Sequence, residues 1–336
     1  MTMKSNFKYI LFFFLIIVVS TLRAQDFHYS MYQLSPLNLN PALTGYHNGD
    51  LRVNTNHRTQ WNTVSVPFST YSISSDLSKL KSIPFGILIN QDIAGDSRFS
   101  TLQANISSAF NLINDTLQQL RIGFQSGITS RSISANDLAF NAQYNGIAYD
   151  PNLSNNENFS TYSRIYGNVN LGCLYSRKIN AKQLITSQFG VFNLNRSNQS
   201  FLGAAPPVTL DVKFNGSIEH QYKFNDFFQI NSSLYYINQG PHKEILFGSE
   251  IKYTLAELAY LKRAVWTGVY YRNKDALFIS SGIIFDAWKI GLSYDVNLSE
   301  LVPASRRRGG FEIAIAYLLK RKIKLDSPLM ICPDFI

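Results

Sequence analysis

Only two cysteines occur in the 336 residues, Cys173 and Cys332. A secreted disulfide scaffold is shorter and far denser in cysteine, so that class is excluded. Cys173 falls on a position predicted to face lipid, which favours two unpaired thiols over one long-range bridge. No Cys/His spacing suits a metal. The sequence also lacks a Gly-rich phosphate loop, a His-Glu-x-x-His pair and a Cys-x-x-Cys pair, so no cofactor is implied. Beyond residue 24 no stretch approaches 18 consecutive apolar residues, which excludes a transmembrane helix in the remaining chain.

The first 24 residues read as a secretory signal peptide. Lys4 and Lys8 supply a positive start, Tyr9 to Val19 an apolar run, and Leu22-Arg23-Ala24 a small residue at the cut. Gln25 follows, not cysteine, so no lipid anchor is expected on the new terminus. Cleavage leaves 312 residues, and losing Lys4, Lys8 and Arg23 lowers the formal charge from +9 to +6. An exported protein rarely meets nucleic acid. The positive balance therefore suits lipopolysaccharide phosphates or an acidic partner surface.

From residue 51 to 320, short apolar/polar alternation replaces helical periodicity. Aromatic residues make up 14% of the chain and charged ones 16%, a mix that suits strands with one apolar face. In 210–223, Leu210, Val212, Phe214, Gly216, Ile218, His220 and Tyr222 form one row. Asp211, Lys213, Asn215, Ser217, Glu219, Gln221 and Lys223 form the other, because side chains alternate with period two. Residues 288–297 repeat this, with Trp288, Ile290, Leu292, Tyr294 and Val296 opposite Lys289, Gly291, Ser293, Asp295 and Asn297. Leu120, Ile122, Phe124 and Ile128 likewise oppose Arg121, Gly123, Gln125 and Thr129. Runs also begin near 51, 68, 83, 98, 162, 184, 227, 243, 263, 275 and 310, predicting about fourteen strands.

Alternation alone also fits a soluble sandwich. Three features point instead to an outer-membrane antiparallel β-barrel, an up-and-down meander. Many runs reach about 10–14 residues, the length a tilted membrane strand needs, whereas globular strands average about 5–6. Aromatics sit near strand ends (Phe68, Tyr71, Tyr175, Tyr222, Trp266, Tyr270, Tyr271, Trp288, Tyr294, Phe311, Tyr317), as in interfacial girdles. Long connections near 131–160, 195–207 and 297–310 alternate with tight turns such as Asn225-Asp226, the pattern of external loops and periplasmic turns. An even strand count puts both termini on the periplasmic side.

Residues 25–50 carry Pro36 and Pro41 without clean alternation, and lie in the periplasm or fold into the barrel as a plug. Residues 321–336 form a C-terminal tail. The loop 131–160, with Asp150-Pro151 as a turn starter, is a candidate contact surface. None of the five histidines has a spacing that argues for general-base chemistry. His220 reads as an interfacial ring, His57 as a polar luminal or loop residue, His242 as following a turn, and His28 and His47 as flanking the irregular segment. Arg306-Arg307-Arg308 reads as a solvated loop beside acidic lipopolysaccharide or as a partner contact. Luminal Lys213, Glu219, Lys223, Glu250 and Lys289 suit a pore lining or a closed, paired lumen. No catalytic residue, metal ligand or small-molecule substrate is identified, and an enzyme is not expected.

The ordered motifs resemble the PorP/SprF family of type IX secretion and gliding-motility membrane proteins of the Bacteroidetes. They begin with Asp26-Phe-x-Tyr-Ser-x-Tyr32 and Leu39-Asn40-Pro41-Ala42 with Gly45. Arg58-x-Gln60-Trp61 and Phe68-x-Thr70-Tyr71-Ser72-x-Ser74-x-Asp76 follow, then Asp150-Pro151. Tyr271-Arg272, Asp275-Ala276 and Ile290-Gly291-x-Ser293-Tyr294-Asp295-Val296 match late strands, and Gly310-Phe-Glu312-Ile313 with Cys332-Pro333-x-Phe335 the end. The resemblance implies a non-catalytic outer-membrane barrel in or beside the type IX machinery. Its implied partners are periplasmic secretion components or a large secreted adhesin. The motif positions are candidate structural or contact residues, with the tail cysteine a family feature; Asp334 departs from the basic residue common there. A porin or hydrophobic-substrate channel is the alternative on the same fold.

Overall fold

The computed structural model describes residues 26–61, 66–80, 83–95, 98–134, 140–150, 152–154, 161–201, 207–258, 261–299 and 302–320. The signal-peptide assignment and the tail lie outside these residues. Fourteen strands run in chain order. The first seven are β1 (Leu51–Gln60), β2 (Phe68–Leu80), β3 (Ile83–Ala94), β4 (Phe99–Asn114), β5 (Gln118–Ser132), β6 (Ser163–Asn180) and β7 (Gln183–Phe192). The rest are β8 (Lys213–Lys223), β9 (Phe228–Gln239), β10 (His242–Glu257), β11 (Lys262–Arg272), β12 (Ala276–Phe285), β13 (Trp288–Asn297) and β14 (Arg308–Leu319). Each pairs antiparallel with its sequence neighbours, and β1 closes on β14 with Leu51 opposite Leu319. The protein is an up-and-down barrel without a free sheet edge.

The barrel is apolar outside and largely polar inside. Phe214 and Ile218 of β8 are 40% and 53% exposed on the outer surface, while Asn215 and Ser217 between them are buried within. Ile122, Phe124 and Ile128 point out of β5, and Arg121, Gln125 and Thr129 point in. A one-residue slip of β8 would put Lys213, Glu219 and Lys223 against acyl chains. Each basic side chain there costs about 2–4 kcal/mol near the midplane, so the register is well specified. Aromatic contacts ring one end of the barrel. Trp288 and Tyr317 lie 4.6 Å apart, Phe228 and Tyr253 4.8 Å, and Tyr222 and Phe224 4.6 Å.

At that same end the strands join by tight turns. The Asn225 side-chain oxygen accepts from the Phe227 and Phe228 amides, and that of Asp115 from Leu117 and Gln118. The strand ends that flank the long connections 133–162, 193–212 and 298–307 lie at the other end, which is therefore external. The external connections at 240–241 and 273–275 are as short as periplasmic turns.

Several sequence expectations need correction. The strand expected from 210 starts at Lys213, and Leu210, assigned to the lipid row, is buried. His57 is not luminal: its ring stacks on outward-facing Tyr71, centroids 4.3 Å apart, at a directly paired position of β1 and β2. Trp266 and Tyr270, assigned to a girdle, point inward and are buried. Period two fixes two opposite rows without naming the one that faces the lumen, and both rows of β11 carry large apolar residues.

Residues 26–50 lie inside the barrel. Asp26 sits at the external end, its amide donating to the Gln239 side chain at 3.0 Å. Asp50 sits at the periplasmic end, its amide donating to the Leu319 carbonyl at 2.8 Å. Both barrel ends Leu51 and Leu319 are periplasmic as expected, but the described chain starts at the opposite mouth.

Candidate functional site

The lumen holds an irregular segment rather than a regular element, and its backbone polar groups need partners away from bulk water. The wall supplies them. Side-chain amides of Asn54, Gln125 and Asn215 donate to the carbonyls of Leu34, Leu37 and Leu39, at 3.1, 3.1 and 3.3 Å. Arg121 Nε donates to the Ala42 carbonyl at 3.0 Å. Pro36 and Pro41 each open a short helical turn, where the missing amide of proline costs nothing.

Asn40 and Pro41 form the central anchor. Asn40 Oδ1 accepts from the Ala42 amide at 2.8 Å, and its Nδ2 donates to the Cys173 and Phe189 carbonyls. The wall opposite is glycine. A Cβ on Gly172 would run into Asn40 Oδ1, and one on Gly123 into the Pro41–Ala42 peptide. The close approach of backbone to backbone requires both glycines.

Near the periplasmic end, buried Asp76 receives Arg52 in a two-point contact, Nε at 2.9 Å and Nη2 at 2.8 Å. It also accepts from the Gly45 amide at 2.7 Å. His47 Nε2 lies 3.5 Å from the same carboxylate. Toward the external end, Arg58 Nη2 meets Asp295 at 2.8 Å and its Nη1 meets Glu312 at 3.4 Å. Arg272 meets Asp295 at 3.3 Å, Glu244 at 3.2 Å and Asp275 at 3.0 Å. Ser30 sits among them. Its amide donates to Glu312 at 2.7 Å, its hydroxyl donates to Asp295 at 2.8 Å, and it accepts from Arg58 and Arg272. Two guanidiniums and two carboxylates thus clamp one serine of the segment, with Glu244 and Asp275 holding Arg272 from outside.

The motif positions fall into groups that the sequence did not separate. Arg58 and Asp295 join in one cluster, and Asn40, Pro41 and Asp76 fix the segment. Tyr71 and Tyr294 face outward instead. Trp61 leaves β1 with a φ of 67°, in the left-handed region, its ring 6.2 Å from that of Phe68. Asp150 organises the external loop, accepting from the Asn152 amide at 2.9 Å. Pro151, Cys332, Pro333 and Phe335 lie outside the described residues. Cys173 is a free thiol on the outward row. Glu244 belongs to the cluster but was in none of the sequence motifs. Its only signal was a carboxylate on the inward row of β10. Of the luminal charges named, Lys289 lies over the Trp266 ring at 4.8 Å and Lys213 over the Phe192 ring at 5.6 Å.

Beside the segment, which lines it with Asp26, His28, Tyr29 and Tyr32, the external half of the lumen holds a cavity of about 660 Å³. Its β2–β6 side presents Thr70, Asp92, Thr101, Gln103, Asn105, Gln125, Thr129 and Asn170. Its β7–β9 side presents Phe192, Leu210, Tyr235 and Ile237. Among the described residues no group of three or more His, Cys, Asp or Glu side chains could hold a metal ion, and no helix is long and apolar enough to cross a membrane.

Solved structures with this architecture include the Ralstonia pickettii toluene transporter TbuX, at TM-score 0.49 and 11% identity, covering 86% of this chain and 94% of that one. The monoaromatic hydrocarbon channel CymD gives 0.49 and 9%, covering 86% and 93%. The Pseudomonas putida toluene transporter TodX gives 0.48 and 8%, covering 87% and 94%. No curated protein matched the chain. The profile described as "Type IX secretion system membrane protein PorP/SprF" matches residues 21–317. With that match spanning nearly the whole barrel, this outer-membrane chain belongs to the PorP/SprF family of type IX secretion system membrane proteins.

Proposed function

We propose that the protein is a non-enzymatic component of, or accessory to, the type IX secretion system. In this reading it supports secretion or surface attachment of cargo by binding periplasmic machinery or the exported protein, a large adhesin for example. The observation that carries the reading is the lumen. Residues 26–50 run through it and bond to the wall from Asp26 to Asp50, so the barrel serves as a rigid platform and not as a conduit. Asn40, Pro41, Arg58, Asp76 and Asp295 then act by holding that platform together. Partner contact falls to the surfaces at the two ends: the periplasmic turns with the C-terminal tail, and the external loop around Asp150 with the Trp61 corner. Export through a cleaved signal peptide and an outer surface in contact with lipid and lipopolysaccharide complete the proposal.

The test combines two measurements on the full chain. Affinity purification from native membranes is expected to bring down type IX components or an exported adhesin. Substitutions at Asn225-Asp226 should abolish a periplasmic partner, and Trp61→Ala or deletion of 140–150 an exported one. In planar bilayers no steady conductance is expected. A steady open pore without any co-purifying partner would favour the porin or hydrophobic-substrate channel.

A further inference from the structure

Three arginines in sequence, Arg306, Arg307 and Arg308, stand at the external head of β14, and all are exposed. Among the described residues no ion pair or side-chain hydrogen bond engages their guanidiniums. The carboxylates of this part of the barrel are taken already: Asp275 by Arg272, Asp295 by Arg58 and Arg272, and Glu312 by Arg58. The side chains are free, but the backbone under them is fixed. The Arg306 amide donates to the Val302 carbonyl at 2.8 Å, and the Asn297 amide to the Arg307 carbonyl at 3.2 Å. Asn297 Nδ2 donates to the Arg308 carbonyl at 3.2 Å. Arg306 and Arg307 hold φ values of 50° and 62°, in the left-handed region that a residue with a Cβ enters at a cost.

The register then turns Arg308 outward. Tyr294 of β13 pairs with Phe311, but Val296 pairs with Arg308, so Gly309 and Gly310 together stand opposite Asp295. This bulge adds one residue. It moves Arg308 from the luminal row of Gly310 and Glu312 to the lipid-facing row of Val296 and Tyr294. A Cβ on Gly309 would strike the Asp295 carbonyl, so the bulge requires glycine there. Below Arg308 on the same face lie Tyr294, Phe311 and, paired with Tyr294, Ile279, all exposed. Two residues of β13 separate the arginine from these side chains, about 7 Å. Unpaired cations at the external rim thus stand over an apolar ledge that faces acyl chains, at the level where lipid headgroups meet the wall.

A guanidinium fork matches a phosphate through two parallel hydrogen bonds. A phosphate monoester brings three acceptor oxygens and about 1.5 to 2 negative charges, which suits three arginines better than the single charge of a phosphodiester. An acidic protein would have to displace the leaflet to reach Arg308 on the lipid-facing row. A lipid with a phosphorylated headgroup meets the arginines and the ledge at once. We infer that Arg306, Arg307 and Arg308, with the ledge of Ile279, Tyr294 and Phe311, form a binding site for lipid A, the phosphorylated, acylated anchor of lipopolysaccharide. The site rests on the outer-membrane orientation in the proposed function and not on the secretion role.

The experiment uses the full chain in detergent, freed of bound lipid. It is titrated with diphosphoryl lipid A, the same lipid after phosphatase treatment, and phosphatidylglycerol as the diester control, with native mass spectrometry counting the molecules retained. Saturable binding of one diphosphoryl lipid A is expected, at least tenfold weaker once the phosphates are removed and weaker with added salt. Arg306→Gln, Arg307→Gln and Arg308→Gln together keep the stems, remove the charge and should weaken binding about a hundredfold. The three lysine replacements keep the charge, lose the fork and should fall between. Equal binding of the phosphatase-treated lipid or of phosphatidylglycerol overturns the inference on the parent chain alone, whether or not the variants fold. So does a folded glutamine variant that binds lipid A normally, and its loss of a co-purifying acidic polypeptide would give the arginines to a protein partner. Absence of any co-purifying machinery or adhesin counts against the secretion role alone.

Discussion

The two sides of the lumen solve the same problem with opposite chemistry. Where β1, β13 and β14 face the segment, Arg58, Asp295 and Glu312 grip Ser30 through charge-assisted hydrogen bonds. Where β6 and β9–β12 face it, Tyr32, Leu39, Ala42 and Leu43 pack against Leu174, Tyr235, Ile237, Leu246, Tyr270 and Phe278. Tyr32 stacks on Tyr235 with centroids 5.0 Å apart, and Tyr270 on Phe278 at the same distance. The polar side fixes direction and register, because a buried charge left unpaired is far more costly than a shifted methyl group. The apolar side supplies area and tolerates small changes of shape. The two chemistries meet where Arg272 of β11 and Glu244 of β10 join the ion cluster, and where Ala314 of β14 packs with Met31 and Leu34.

Substitutions that treat the sides differently test this division. The largest effect belongs to neither: Gly172→Leu fills the niche shared by both, and should displace the segment altogether, read as new steady conductance in planar bilayers. On the polar side, Arg58→Met strips Glu312 of its guanidinium partner and leaves Asp295 to Arg272 alone. A loss of about 3–5 kcal/mol is expected in reversible folding into lipid, most of it recovered when both acids are also made apolar. A loss that persists in the triple variant would mean that the guanidinium acts through packing and not charge.

Phe214→Arg tests the outer surface, with an expected cost of about 2–4 kcal/mol in the same assay. Unchanged folding would refute the assigned face. Phe278→Leu on the apolar side should cost less than about 1.5 kcal/mol, the smaller penalty expected of a volume-tolerant wall. Smallest of all is Asp115→Ala in a periplasmic turn. The Gln118 and Leu117 amides hold this carboxyl below its ordinary value of 3.8. Its contribution is therefore complete above that pH and fades as pH falls through the depressed value. The variant should differ slightly from the parent at neutral pH and not at all once the carboxyl is protonated.

The strands were legible because each meets two different surroundings, and period two records that in the sequence. Starts predicted near 51, 68, 83 and 288 coincide with β1, β2, β3 and β13. What failed has the same cause. Trp266 and Tyr270 could not be placed, since the core side of the lumen is as apolar as lipid, and one face of β11 looks like the other. His57 was misplaced because its partner is Tyr71 on the next strand, a lateral pairing that no local pattern encodes. Arg58 and Asp295 stood out as single motif residues, yet they lie 237 positions apart and are joined only by closure of β1 on β14.

The path of residues 26–50 has a consequence for topology. Fourteen strands return the polypeptide to the face from which it set out, but the threaded segment adds one more passage between the mouths. The parity becomes odd, so Asp26 and Leu319 answer to opposite compartments, the one to the cell's surroundings and the other to the periplasm.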